Sequence, residues 1–130
     1  MKYTIYTDGA YSFAREKGGC AFVILNESGN EVARFSKSYI HCTNNTMEMM
    51  ACILALESIK ISSEIILYTD SMYVVGTYTK NWKRNKNLEL WKRFDKAIAK
   101  HIHVQFYHTK GHASDKYNNI CDELAVEKTK

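Results

Sequence analysis

The chain contains no proline, no low-complexity tract and no internal repeat, so nothing in its 130 residues reads as a linker between domains. It also lacks an apolar run long enough to span a bilayer. The longest, Met49 to Leu56, falls well short of the ~20 residues a membrane helix needs. Its first residues, Met1-Lys2-Tyr3-Thr4-Ile5-Tyr6, have no signal-peptide apolar region and pass straight into strand-like alternation, so an intracellular, cytoplasmic protein is expected. Cys20, Cys42, Cys52 and Cys121 are scattered with no C-x-x-C pair among them. Free, buried thiols with a structural role are the expectation, rather than disulfides or a zinc site.

What is present is ordinary for a globular protein: 45% hydrophobic and 25% charged residues, which excludes disordered and membrane classes. The length suits one domain over residues 1–130, large enough for a real core. A formal net charge of +4 permits a polyanionic partner without demanding one.

The hydrophobic period orders the chain. Residues 2–8 alternate as a strand, Cys20 to Leu25 form a continuous apolar strand, and Asn26 to Asn30 make a turn into a third strand over Glu31 to Ser38. Asn44-Asn45 then offers an N-cap for a helix from Met47 to Ile59, apolar on most faces and therefore central. A buried strand over Glu64 to Asp70 follows, then helices over Ser71 to Lys80 and Asn87 to Lys100, the second with Trp91, Phe94 and Ile98 on one face. His103 to His108 alternates as a fifth strand. Ser114 or Asp115 caps a last helix with Tyr117, Cys121 and Leu124 on its stripe. The order βββ-α-β-αα-β-α predicts an α/β fold: a mixed five-stranded sheet, three antiparallel strands then two parallel, with helices on both faces. Sites in such sheets gather beyond the carboxyl ends of parallel strands, where Asp8 and Asp70 fall.

Four acids sit at these element ends: Asp8 in Thr7-Asp8-Gly9, Glu48 in Asn45-Thr46-Met47-Glu48, Asp70 in Tyr68-Thr69-Asp70-Ser71, and Asp122 in Cys121-Asp122-Glu123. Each has a local reading. Asp8-Gly9 is a turn signal, Glu48 has capping-box spacing from Asn45, Asp70 can cap the helix after it, and Asp122 lies off its apolar stripe. Taken together, carboxylates without Cys or His pairs beside them suit hard cations, magnesium rather than zinc. Two such ions are a recurrent device for cutting phosphodiesters.

Four motifs in this order resemble the type 1 ribonuclease H family from end to end: Thr7-Asp8-Gly9-Ala10, Thr43 to Ala51, Tyr68-Thr69-Asp70-Ser71, and Lys110-Gly111-His112-Ala113 followed by Cys121 to Ala125. The resemblance implies the ribonuclease H-like fold in a compact form, and an endonuclease that hydrolyses the RNA strand of RNA–DNA hybrids to 5′-phosphate and 3′-hydroxyl ends. It implies two Mg2+ ions, with Mn2+ as a substitute, held by Asp8, Glu48, Asp70 and Asp122. In the family pattern Asp8 bridges both ions, Asp122 completes the water-activating site, and Glu48 and Asp70 hold the ion beside the leaving oxygen. His112 takes the place of a histidine that shuttles a proton near the scissile phosphate. Thr43 and Asn45 match positions that hold a DNA phosphate, and Asn44 lies beside the minor groove. His41, His101, His103 and His108 lack such a setting and are expected to be structural or solvated.

The chain also departs from the pattern. Ala10 to Gly19 replaces an Asn-Pro-Gly loop whose backbone meets RNA in many relatives, and Met72 stands where a glutamine often reads the hybrid. The stretch from Asp70 to His112 has no room for an extra basic helix. Lys80, Lys83, Arg84 and Lys86 around Trp82 are the remaining handle, with Lys83 and Arg84 the candidate phosphate contacts. Salt-sensitive hybrid binding by a monomer is expected. A 3′–5′ exonuclease of related fold is disfavoured because Gly9-Ala10 follows Asp8 where an Asp-x-Glu is usual. A hybrid-binding module without cleavage is disfavoured because all four acids and His112 are present.

Overall fold

The computed structural model describes residues 1–109 and 115–130. Its elements run β1 (Lys2–Ser12), β2 (Lys17–Leu25), β3 (Glu31–Tyr39), α1 (Asn44–Ser58), β4 (Glu64–Thr69), α2 (Met72–Thr79), α3 (Leu88–Ala99), β5 (His103–His108) and α4 (Lys116–Glu127). They form one five-stranded sheet in the order β3-β2-β1-β4-β5. β1, β2 and β3 are antiparallel neighbours, and β4 and β5 run parallel to β1. The expected element order and sheet are therefore the observed ones.

The apolar run of β2 is explained by burial on both faces. Cys20, Phe22 and Ile24 join the main core with Ile5, Leu67, the buried side of α1, Val74 of α2, and Trp91 and Phe94 of α3. Val23 and Leu25 point the other way, onto Cys121 of α4. Helix α1 lies under the sheet with Met47, Met49, Ala51, Cys52, Ile53, Ala55 and Leu56 all buried, which is why its sequence shows no polar stripe. In α3 the buried Trp91, Phe94 and Ala97 recur at helical spacing, while Ile98 is only partly covered. All four cysteines are free, and Cys20, Cys52 and Cys121 are buried. No helix of the described residues is long and apolar enough to cross a membrane.

Element ends differ from the sequence reading for local reasons. β1 continues to Ser12 because β2 pairs with it as far as Ser12↔Lys17, so Asp8-Gly9 lies inside a ladder and makes no turn. The α1 N-cap is Thr43 rather than Asn44 or Asn45. Its Oγ1 accepts from the Thr46 backbone N–H at 3.1 Å, and the Thr46 Oγ1 accepts from the Thr43 N–H at 2.8 Å. Ser71, not Asp70, caps α2 by accepting from the Val74 N–H. Asp115 caps α4, accepting from the Tyr117 and Asn118 N–H groups. Asp115 is an expected cap, whereas Thr43 and Ser71 are hydroxyls one residue from the expected candidates, and each releases a neighbouring side chain for other work.

Close packing depends on two glycines. A Cβ at Gly9 would collide with the Met47–Glu48 backbone, and one at Gly19 with the Ala125 carbonyl and Lys128. Gly9 therefore lets α1 start against β1, and Gly19 lets α4 lie on β2. Gly19→Ala is expected to lose about 1–3 kcal/mol by forcing α4 off the sheet, read as a lower urea midpoint in equilibrium unfolding.

Candidate active site

The parallel β1–β4 register runs to Tyr6↔Tyr68, and two residues further along each chain stand Asp8 and Asp70. Strand alternation turns Asp8 to the face covered by α4, the face of Tyr6, which packs with Cys121 of that helix. Asp70 and Asp122 of α4 both lie close enough to Asp8 for their charges to act on it. Glu48 comes from the first turns of α1, brought against β1 by Gly9, and feels the charge of Asp70. The structure thus brings together all four acids picked out in the sequence.

The local readings of Asp8, Glu48 and Asp70 do not hold, whereas Asp122 faces solvent as its place off the stripe implies. Asp8 is 6% exposed within the β1–β2 ladder, its Oδ1 accepting the Gly9 N–H at 2.8 Å. Glu48 is 8% exposed and bonds no cap; it accepts from Asn44 Nδ2 at 2.6 Å and is hydrogen-bonded by Ser71. Asp70 follows β4 without capping α2. Asp122 is solvent-exposed, yet it reaches Asp8.

Burial pushes the Asp8 carboxyl up to about 9, helped by the charges of Asp70 and Asp122. Glu48 is pushed up to about 7, first by burial and then by Asp70, against the Ser71 hydrogen bond. Burial also raises Asp70, partly offset by its hydrogen bond with Asp8. Among the described residues no Lys or Arg forms an ion pair with any of the four. Among the described residues the cluster therefore has no Lys or Arg partner, and its donors are all oxygens, which suits a hard divalent cation. Also among the described residues, no group of three or more His, Cys, Asp and Glu side chains is arranged to hold an ion as it stands. The donor chemistry fits a cation; the grip is not drawn tight.

The remaining candidates are spread more widely. Thr43, Asn44 and Asn45 are exposed at the start of α1, with Thr43 committed to its cap and Asn44 to Glu48. Lys83 is exposed on the α2–α3 connection. Arg84 is turned inward: its guanidinium donates twice to Asp95, at 2.7 and 3.0 Å, and lies over the Tyr78 and Trp91 rings. Trp82 packs its ring over Gly76 and stays 44% exposed. His112 lies outside the described residues. His101 is structural, as expected: its Nδ1 accepts the Ser63 N–H and its Nε2 therefore donates to the Leu56 carbonyl. Two residues at the site escaped the sequence reading. Ser71 reaches Glu48, and His108 Nε2 lies 3.1 Å from the Asp70 carbonyl oxygen. A serine directly after the last strand acid was a visible signal for the first; β5 lying beside β4 is a tertiary fact.

Comparison with known proteins identifies the family and the fold. The family model described as RNase H matches residues 1–130. The chain is 41% identical to a ribonuclease H of Trichodesmium erythraeum over 95% of this chain and 86% of the relative. It is 39% identical to one of Acetivibrio thermocellus, over 99% and 95%. Among solved structures it superposes on RNase H1 of the halophilic archaeon Halobacterium salinarum with a TM-score of 0.83 and 25% identity, covering 98% of this chain and 97% of that one.

An acid with a pKa higher in the folded than in the unfolded chain adds full stability only below its unfolded value, and loses it as pH rises through the folded one. For Asp8 that window runs from 3.8 to about 9, and for Glu48 from 4.5 to about 7. In EDTA, Asp8→Asn is expected to be more stable than the parent at pH 8 by more than about 1.4 kcal/mol, the worth of one pKa unit. The gain should vanish near pH 4. Urea unfolding of both proteins across pH 4–9 measures it.

Proposed function

Since the chain belongs to the ribonuclease H family, we infer that it is an endonuclease hydrolysing the RNA strand of RNA–DNA hybrids, leaving 5′-phosphate and 3′-hydroxyl ends. The observation that carries the reading is the convergence of Asp70 and Asp122 on Asp8, with Glu48 close enough to Asp70 to feel its charge and no Lys or Arg ion-paired with any of them among the described residues. A structural carboxylate cluster would be costly to keep; a cluster that receives divalent cations is not.

Asp8, Glu48, Asp70 and Asp122 would hold Mg2+, as two ions, with Mn2+ able to replace it. When bound, the metal supplies Lewis acidity, lowering the pKa of the attacking water and offsetting charge on the leaving 3′ oxygen. The chain's own groups keep the acids in place. The Gly9 N–H holds one Asp8 oxygen, and Asn44 and Ser71 fix Glu48 from two sides. His108 ties the backbone of Asp70 to the end of β5. His112 carries a proton at the scissile phosphate. The α1 N-terminus, with Thr43 and Asn45, offers backbone and side-chain donors to a DNA phosphate, and Asn44 borders the groove. Because Arg84 is engaged by Asp95, the phosphate contacts of the α2–α3 connection fall first to Lys83. The chain works as one catalytic domain over residues 1–130, as a cytoplasmic monomer.

Labelled RNA–DNA hybrid, single-stranded RNA, double-stranded RNA and duplex DNA, each incubated with Mg2+ or with EDTA, test the reading. Internal cutting of hybrid RNA alone is expected, lost in EDTA and reduced roughly a thousandfold by Asp70→Asn. Stepwise end degradation, or binding without cutting, contradicts it. Separately, Lys83→Ala is expected to weaken hybrid binding evenly across sequences and to lower the salt slope by about 1, as titrations at several salt concentrations measure.

A further inference from the structure

β1 and β2 outrun β4. The β1–β4 pairing ends at Tyr6↔Tyr68, whereas β1 and β2 remain paired to Ser12↔Lys17. Six residues at about 3.3 Å carry the hairpin roughly 20 Å beyond the last β1–β4 pair. It therefore stands as a wall beside the acids.

At the tip of that wall Phe13 is 87% exposed, more than any other large hydrophobic of the described residues. It is nonetheless held: the Tyr11 ring meets it edge-on at 5.0 Å with planes at 86°, and the turn is closed by the Arg15 N–H donating to Ser12 Oγ at 3.3 Å. Neither ring belongs to the hydrophobic cores. Tyr11 shares a face of β1 with Gly9, the face that meets the start of α1, so the ring pair sits on the side where Thr43, Asn44 and Asn45 are exposed. The edge-on pair stiffens the hairpin tip but leaves most of the Phe13 ring in water. It is placed to meet what the acids act on.

We propose that Phe13 is a substrate-positioning residue whose ring packs on sugars in the minor groove of the RNA–DNA hybrid, an inference that rests on the ribonuclease H reading above. A duplex with a phosphate at Asp8 and Asp70 has to lie against the hairpin. The major groove of an A-like duplex is too deep and narrow for a side chain, while the minor groove is wide and shallow and lined by sugars. Arg15 and Glu16 in the same turn offset each other in charge, and Lys17 Nζ is tied to the Lys130 carbonyl at 3.0 Å. The contact therefore gains from apolar burial rather than from counterion release, and it is insensitive to salt.

Steady-state cleavage of labelled hybrid by the wild-type protein, Phe13→Ala and Phe13→Leu, at low and high salt with a thermal melt of each, tests this. Phe13→Ala is expected to raise KM about five- to tenfold, in the range of lost aromatic contacts to nucleic acid, with kcat within about twofold and a melting temperature lowered by no more than a few degrees. Its KM ratio to wild type should be equal at both salts, and Phe13→Leu should restore most of the loss. A wild-type KM in Phe13→Ala, or a KM effect that disappears at high salt, overturns the proposal while leaving the ribonuclease reading intact. A wild-type protein that leaves hybrid uncut removes both. Equilibrium binding of hybrid to Asp70→Asn with and without Phe13→Ala gives the same comparison free of turnover, and equal affinities there also overturn it.

Discussion

The register of two parallel strands sets everything at the site. Because β1 and β4 pair as Tyr6↔Tyr68, the residues two steps on, Asp8 within β1 and Asp70 just past the end of β4, come out side by side. Helices then close on that point from both faces. The α1 helix approaches through the space left by Gly9 and delivers Glu48, and α4, seated over Gly19, delivers Asp122. A slip of one residue between β1 and β4 would turn one acid to the opposite face and scatter the group.

That convergence has an electrostatic cost. Burial, and then the charge of neighbouring carboxyls, raises the pKa values of Asp8, Glu48 and Asp70, with no Lys or Arg paired to them among the described residues; Asp8, the most enclosed, is pushed up to about 9. The rest of the core offsets this with a large apolar interior and an aromatic group of Tyr73, Tyr78, Trp91, Phe94 and Phe106 at the far helices. Stability is given up locally for a place where positive charge can be received from outside. The division of labour is spatial: acids at one end of the strands, packing elsewhere.

Substrate grip is where the chain differs most from its family's pattern. Without a basic helix, the α2–α3 connection spends Arg84 on Asp95 and on the Tyr78 and Trp91 rings, which anchors the segment but leaves fewer cations facing solvent. The β1–β2 hairpin, lacking the Asn-Pro-Gly sequence, instead presents an aromatic pair. Under the proposed reading, that hairpin would meet substrate through apolar contact.

Much of this was legible in sequence because period and end signals are local. The run in β2, the all-round apolar α1 and the stripe of α3 fixed element type and order, and the four motifs named the acids. The α4 cap, Asp115, was legible, but the α1 cap was missed by one residue, since Thr43, Asn44 and Asn45 all suit an N-cap and only the Thr46 hydroxyl, reaching back, selects Thr43. The full length of β1 was missed because Asp8-Gly9 reads as a turn until β2 is seen paired beyond it. The sequence by itself determined which residues could do the chemistry, since oxygen donors and helical or strand periods are properties of residue type and spacing. Only the tertiary structure decided that the acids meet, that Arg84 turns inward and that Phe13 stands out, because each depends on register and packing between segments distant along the chain.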